Sequence, residues 1–340
     1  VILALSLLYA VAAELDWFAA LFLGIKAAVL AIVLQALIRI AGRALGTRFK
    51  QALASAAFVA LALLALPFPL VVLSAGALGF AVAALRPDWL GIKPGGPAPA
   101  LPPRPWAASL RSVLLWGAVW AAPMVLVLLT LGRDHVLWQI GAFFSQLAVV
   151  TFGGAYAVLA YMAQEAVGTF GWLATGEMAD GLGLAETTPG PLILVTQIVG
   201  YLAAFRAPEP FSPLVAGLLG AMLTTWVTFA PCFLWIFTFA PWIERLEQAV
   251  KLKGALAAVT AAVVGVIGSL ALWFAGHLLF EQFDSGRPAD LPFDLPVWTS
   301  FDLRAALLAL LSAGLLFGLK WGVVRVLVAA ALGGLALAQF

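Results

Sequence analysis

The stretch Leu184-Ala-Glu-Thr-Thr-Pro-Gly-Pro-Leu-Ile-Leu-Val-Thr-Gln-Ile-Val-Gly-Tyr201 decides how the chain is read. An acid, two hydroxyls and a Pro-Gly-Pro break stand directly before an apolar helical run. Proline lacks an N–H and fixes φ, so Pro189 and Pro191 oppose a helix running through from Leu184. Proline suits the first turn of a new helix, and Thr187 or Thr188 can cap it. Such a helix points its free N–H groups, and the positive end of its dipole, back at the break. Two readings stand side by side: a loop-to-helix junction at a membrane surface, or an anion site inside the membrane.

The surrounding composition favours a membrane. Of 340 residues, 64% are hydrophobic and 10% charged, and the mean hydropathy is +1.09. A soluble domain carries about a quarter charged residues. Apolar stretches fall at 1–13, 17–38, 52–85, 112–131, 136–163, 181–205, 214–241, 254–280 and 305–340. Most are close to the ~20 residues that cross a bilayer as a helix. They lack the alternation of barrel strands, so the fold class is all-α and polytopic. The net charge of +2 says little about partners, and no nucleic acid is implied. Cys232 is alone, and His135 and His277 lack metal-ligand spacing, so no metal site or cofactor is expected. The chain starts at Val1 without Met or a basic segment, so 1–13 reads as the tail of a truncated transmembrane helix.

Stretches 52–85 and 305–340 are too long for one span and too short for two. Each is expected to be a hairpin of short helices, broken at Pro67-Phe68-Pro69 and near Gly318–Gly322. Orientation follows Lys and Arg in short loops. Segment 39–51 (Arg39, Arg43, Arg48, Lys50) and segment 86–111 (Arg86, Lys93, Arg104, Arg111) are basic and should be cytoplasmic. Loop 281–304 is acidic and should face outward. The Pro/Gly-rich segment 86–111 is the expected cytoplasmic linker between 1–85, the end of a first repeat, and 112–340, a second repeat.

The halves match weakly in sequence. Gly24, Ala27, Ala28, Val29 and Ala31 align with Gly254, Ala257, Ala258, Val259 and Ala261, and Ala77-Leu-Gly79 aligns with Ala331-Leu-Gly333. Charge places helix 17–38 outside to inside and helix 254–280 inside to outside. The expected architecture is therefore two inverted-topology repeats with broken or re-entrant helices, the first incomplete. The stretches 136–163, 181–205 and 214–241 must together make an odd number of crossings. Three spans satisfy this, and so do two re-entrant hairpins and one span.

A second break lies at Thr151-Phe-Gly-Gly-Ala155, where paired glycines expose backbone or make a packing contact. Phe152-Gly-Gly-Ala-Tyr-Ala-Val-Leu159, Gln164-Glu165, Gly171-Trp-Leu173, Gly183-Leu-Ala-Glu-Thr-Thr-Pro-Gly-Pro-Leu-Ile193 and Val199-Gly-Tyr201 resemble the second half of long-chain chromate ion transporters. Gly24-Ile-Lys26-Ala-Ala-Val29 resembles a segment late in that family's first half. One departure is Ala160, where the family often has proline. The family carries a Phe-Gly-Gly and a Pro-Gly-Pro motif in each half, and this chain has the second pair. The resemblance implies a transporter in the bacterial plasma (inner) membrane, most often a chromate efflux pump. Some members resemble permeases open to sulfate. A homodimer stays open.

A tetrahedral dianion needs convergent donors and positive potential. Backbone around Phe152, Gly153 and Gly154, and around Pro189, Gly190 and Pro191, is the candidate source, with hydroxyls from Thr187 and Thr188. Lys26 is the candidate cation, ~13 Å into its helix at ~1.5 Å per residue; an intramembrane lysine is by default functional, although it can also pair structurally or snorkel. Glu186 would repel a dianion unless protonated, so it is either a proton-coupling group or a carboxylate bonded to a helix start. Glu165, Glu177 and Asp180 are expected at a loop surface, and Lys320 and Arg325 are expected to snorkel. A membrane enzyme is the reading from another class, but no Ser/His/Asp constellation appears. A structural subunit would not require a buried lysine or a Pro-Gly-Pro break.

Overall fold

A computed structural model describes residues 3, 6, 7, 9, 16–92, 106–150, 155–186, 194–284 and 295–337. They form an all-α membrane protein whose only strands among these residues are the short pair β1 (Phe283–Asp284) and β2 (Leu295–Pro296). Among the described residues, five helices are long and apolar enough to cross a bilayer.

Two long helices form the axis. Helix α1 spans Asp16–Ala44. It continues through Arg39 and Arg43, so most of the expected basic loop 39–51 is helical. Helix α2 (Arg48–Ala62) follows, capped by the Thr47 hydroxyl, which accepts from Lys50 N–H. Helix α3 is Phe68–Leu85, with proline in its first turn. The break between α2 and α3 is the expected one at Pro67, and Ala65 turns the chain with φ 48°. The hairpin closes on itself at its base, where the Thr47 hydroxyl donates to Trp89 C=O.

Helix α4 (Trp106–Thr130) starts six residues before the apolar run does, because Ser109 donates to the Thr238 carbonyl and anchors this polar turn. Pro123 lies inside α4. It cannot bond Val119 C=O, so that carbonyl accepts instead from Trp226 Nε1–H at 2.9 Å. Then come α5 (Val136–Val150) and α6 (Ala155–Gln164), which continues as a π-turn over Glu165–Thr169. Next are α7 (Thr175–Glu186) and α8 (Leu194–Arg206). Helix α9 (Pro213–Phe239) leads through the short α10 (Ile243–Gln248) into α11 (Val250–Leu279). A last hairpin joins α12 (Leu303–Ala313) to α13 (Val323–Leu337), with Lys320 at φ 54° in its turn.

The two arrangements left open by the crossing count are now separated. Gln146 donates to Tyr161 OH at 3.4 Å, while Phe143, one turn earlier, packs on Tyr161 and on Phe170 beyond the end of α6, so α5 and α6 lie antiparallel. Gly181 faces Ile198 and Val195, and Arg206 pairs with Glu177, so α7 and α8 do the same. These are two hairpins, and α9 is the span. It packs on α8 through Gly200 and Gly220, where a Cβ on Gly220 would overlap the Gly200 carbonyl and one on Gly200 would overlap the Thr224 side chain.

The central packing is reciprocal. Helix α11 packs on the α2/α3 hairpin, and α1 packs on the α12/α13 hairpin. Gly254 of α11 lies against Gly79 and Ala83 of α3. Gly24 of α1 lies against Ala330 and Ala331 of α13, and Gly334 returns the contact to Ala20 and Gly24. Small residues let these backbones approach closely, where van der Waals contact rather than water exclusion holds helices together.

The two hairpins open at opposite ends of α11. Lys251, at its start, lies over Phe80 of α3 at 5.5 Å. At its end, Asp302 N–H donates to Leu279 C=O, just before α12. The first end gathers Arg43, Arg48, Lys50, Arg86, Lys251 and Lys253, and is the cytoplasmic side by charge. Helix α9 runs from the opposite, outer side to this one, and α4 is antiparallel to it through the Ser109 and Trp226 bonds. Segment 131–136 and both α5/α6 and α7/α8 hairpin bases therefore lie on the outer side.

Candidate functional site

The Phe-Gly-Gly segment (Phe152, Gly153, Gly154) and the Thr-Thr-Pro-Gly-Pro segment (Thr187, Thr188, Pro189, Gly190, Pro191) lie outside the described residues. What is described is how they are delivered. Each joins the two helices of one hairpin, and both hairpins enter from the outer side. Glu186 is the last residue of α7, and its side chain is outside the described residues.

Lys26 is described, and it is not a lone cation. Its Nζ lies 3.0 Å from Asp180 Oδ1, with the two side chains 21% and 13% exposed. Tyr9 OH donates to the other carboxylate oxygen at 2.7 Å. The lysine contact is an ion pair, and Oδ1 accepts no hydrogen bond among the described residues. This pair ties α1 to α7, across most of the first half and the whole α5/α6 hairpin in sequence.

The expectation of a loop surface for Asp180 is therefore overturned. Helix α7 begins at Thr175 and buries Met178, Ala179 and Leu182, which carries Asp180 inward with them. Met178 and Leu182, four apart, were the signal available in the sequence. Glu177 is nearer the surface, in the first turn of α7. It pairs with Arg206 and accepts from Ala174 N–H at 2.7 Å, while Arg206 also donates to Trp172 C=O at 2.7 Å. Burial pushes the Glu177 carboxyl up, but the Arg206 and Ala174 hydrogen bonds outweigh it and hold it below the usual range. Glu165 opens the π-turn and faces a cavity shared with Tyr161. Lys320 and Arg325 are exposed on the outside of the helix bundle. No group of three or more His, Cys, Asp or Glu side chains that could hold a metal occurs among the described residues.

A largely buried ion pair, apolar helices long enough to cross a bilayer and hairpins packed from both ends define a polytopic membrane protein. The comparisons give the family. The family described as Chromate transporter matches residues 138–335, more than half of the chain. A Chromate transport protein of Pseudomonas aeruginosa is 30% identical over 93% of this chain and 66% of its own length. Another, from Cupriavidus metallidurans, is 30% identical over 39% of this chain and 30% of its own length. An uncharacterized transporter of Methanocaldococcus jannaschii is 25% identical over 42% of the chain. The chain spans just under two thirds of the length of the first of these relatives and about a third of the others. No solved structure matches it. The chain belongs to the chromate transporter family, and it is a multi-pass protein of the bacterial inner membrane.

Proposed function

We propose that this protein is a secondary active transporter of a tetrahedral oxyanion, with outward movement of chromate as its task. The observation that carries the proposal is the pair of outer hairpins interrupted at Phe-Gly-Gly and Thr-Thr-Pro-Gly-Pro, in a chain whose relatives bear the name chromate transport protein. Interrupted helices leave N–H donors free inside a membrane, which suits an anion. Phe152, Gly153, Gly154, Thr187, Thr188, Pro189, Gly190 and Pro191 are the proposed substrate set, with Lys26 as its charge. Glu186 is the proposed coupling group, because a carboxylate beside a dianion path repels the substrate until it takes up a proton.

Reciprocal packing supports an inverted repeat of 1–85 and 112–340. The matched glycines Gly24 and Gly254 each make the close crossing with the second helix of the other half's hairpin. Both hairpin turns also hold a non-glycine residue at positive φ, Ala65 and Lys320. Repeats of this kind put the substrate at their interface near the midplane.

The test is flux of labelled chromate and labelled sulfate into everted vesicles or proteoliposomes bearing the full-length protein. Chromate accumulation driven by a proton gradient, and lost in Glu186→Gln, is the expected result. Sulfate flux with chromate excluded would turn the proposal into a sulfate permease. Flux of neither anion would remove it.

A further inference from the structure

A second feature, built from residues outside both motif segments, points to a further anion site. Between α5 and α6 lies a cavity of about 370 Å³ that opens on the outer side. It is large enough for on the order of ten waters, and so for an oxyanion that keeps part of its hydration. Its polar groups are ordered by helix geometry. Gln139 and Gln146 are seven residues apart on α5, which puts them on one face, two turns from each other. Tyr161 and Glu165, four apart on α6, face them. Arg133 stands at the mouth, exposed, with no carboxylate within salt-bridge distance among the described residues.

Polar side chains this deep in a membrane hairpin are costly if they face lipid, and tolerable if they line water. Gln146 lies ~15 Å along α5 from Val136 at ~1.5 Å per residue. It is four residues from the end of the helix, directly before the Phe-Gly-Gly segment. The Tyr161 ring forms the floor with Phe68 of the α2/α3 hairpin stacked on it at 5.3 Å. The cavity therefore runs from an arginine on the outer surface to Gln146, four residues before the end of α5, and ends against a hairpin from the other face.

We propose that this cavity is an outward-facing oxyanion site that exchanges the anion with the outer medium, with Arg133 supplying charge and Gln139 and Gln146 supplying donors. The proposal rests on the oxyanion reading above and adds the outer end of the path. Glu165 sets its limit: a carboxylate on the wall weakens anion binding, so a site of modest affinity that releases its ligand is the arrangement expected here.

Equilibrium dialysis of labelled sulfate against the purified full-length protein tests it. Arg133→Gln should weaken binding about tenfold, Arg133→Lys should retain most of it, and Glu165→Gln should strengthen it a few-fold. Arg133 is exposed, so its variants fold as the parent does. Ala142, also on the cavity wall, supplies the location test. In a Cys232→Ser background, Ala142→Cys should react with a membrane-impermeant maleimide added outside, and sulfate should slow the reaction. Binding that persists unchanged in Arg133→Gln and Glu165→Gln overturns the cavity site while leaving the transport reading intact. The absence of labelling from outside overturns it too. Failure of the parent itself to bind sulfate or chromate removes both readings together.

Discussion

Separating Lys26 from Asp180 is the most informative perturbation. The charges are 3.0 Å apart, with side chains 21% and 13% exposed. At an effective dielectric near 20, their attraction is about 5 kcal/mol, most of it offset by the cost of desolvating both groups. Removing one partner leaves the other buried and uncompensated, which costs about 3–5 kcal/mol. Lys26→Met leaves the carboxylate with the Tyr9 hydroxyl. Asp180→Asn leaves the ammonium without its counter-ion. The double variant Lys26→Met/Asp180→Asn buries neither charge, so most of the loss should return. A double-mutant cycle in mixed micelles, followed by tryptophan fluorescence during denaturation, should give a coupling of about 3 kcal/mol. A coupling below about 0.5 kcal/mol would refute the reasoning, because the two groups would then be solvated independently. The double variant also divides structure from function. If Lys26 contacts the anion, the refolded double variant should carry chromate at least about tenfold more slowly than the parent. Full flux would make the pair a pin between α1 and α7 and nothing more.

The reciprocal crossings predict that Gly24→Ala and Gly254→Ala each destabilise by about 1–3 kcal/mol, since their new Cβ atoms overlap the Ala330 carbonyl and the Ala83 side chain. Gly117→Ala, with nothing near its Cβ, should be neutral or stabilising by up to about 1 kcal/mol in the same unfolding assay. Trp226→Phe should cost about 1 kcal/mol by leaving Val119 C=O without a donor, and the cost should shrink in a Pro123→Ala background, where the helix supplies that donor. Because the folded-state value of Glu177 is depressed, its contribution is present above the ordinary carboxylate value near ~4.3 and is lost as pH falls through the lower folded value. Glu177→Gln should therefore flatten the acid limb of a stability-versus-pH curve and leave its neutral plateau lower.

The fold was legible where backbone chemistry acts locally. Pro67 ends one helix and begins another, and the Gly318–Gly322 stretch turns the last hairpin, so both hairpins could be placed from residue type alone. The number of crossings was not legible. Periodicity finds apolar helices, but it does not say whether Gly153-Gly154 or Pro189-Gly190 bends a span or reverses it. That depends on contacts such as Phe143 with Tyr161 and Gly181 with Ile198, which join residues 17 or more apart. The same limit applies to charge. Lys26 was visible as a cation inside a span, whereas its partner Asp180 is set by the packing of α1 on α7.

The repeat proposal sharpens what Lys26 is for. Continuing the alignment from Gly24 and Gly254 puts Lys26 opposite Leu256, which is half-exposed. The glycines that let the helices cross are kept on both sides of the proposed repeat, and the lysine is not. A charge required by the shared scaffold would be needed at both positions, since both helices make the same kind of crossing with the same kind of hairpin. Lys26 instead lies on the helix that makes the larger contact with α7, and its carboxylate partner is on α7, six residues before Glu186. Moving α7 relative to α1 would break the pair and expose an ammonium toward the helix that carries the Thr-Thr-Pro-Gly-Pro break. An anion arriving there would replace Asp180 as the counter-ion, so the cost of opening is lower with substrate present than without it. That difference is what a transporter needs in order to change conformation only when loaded.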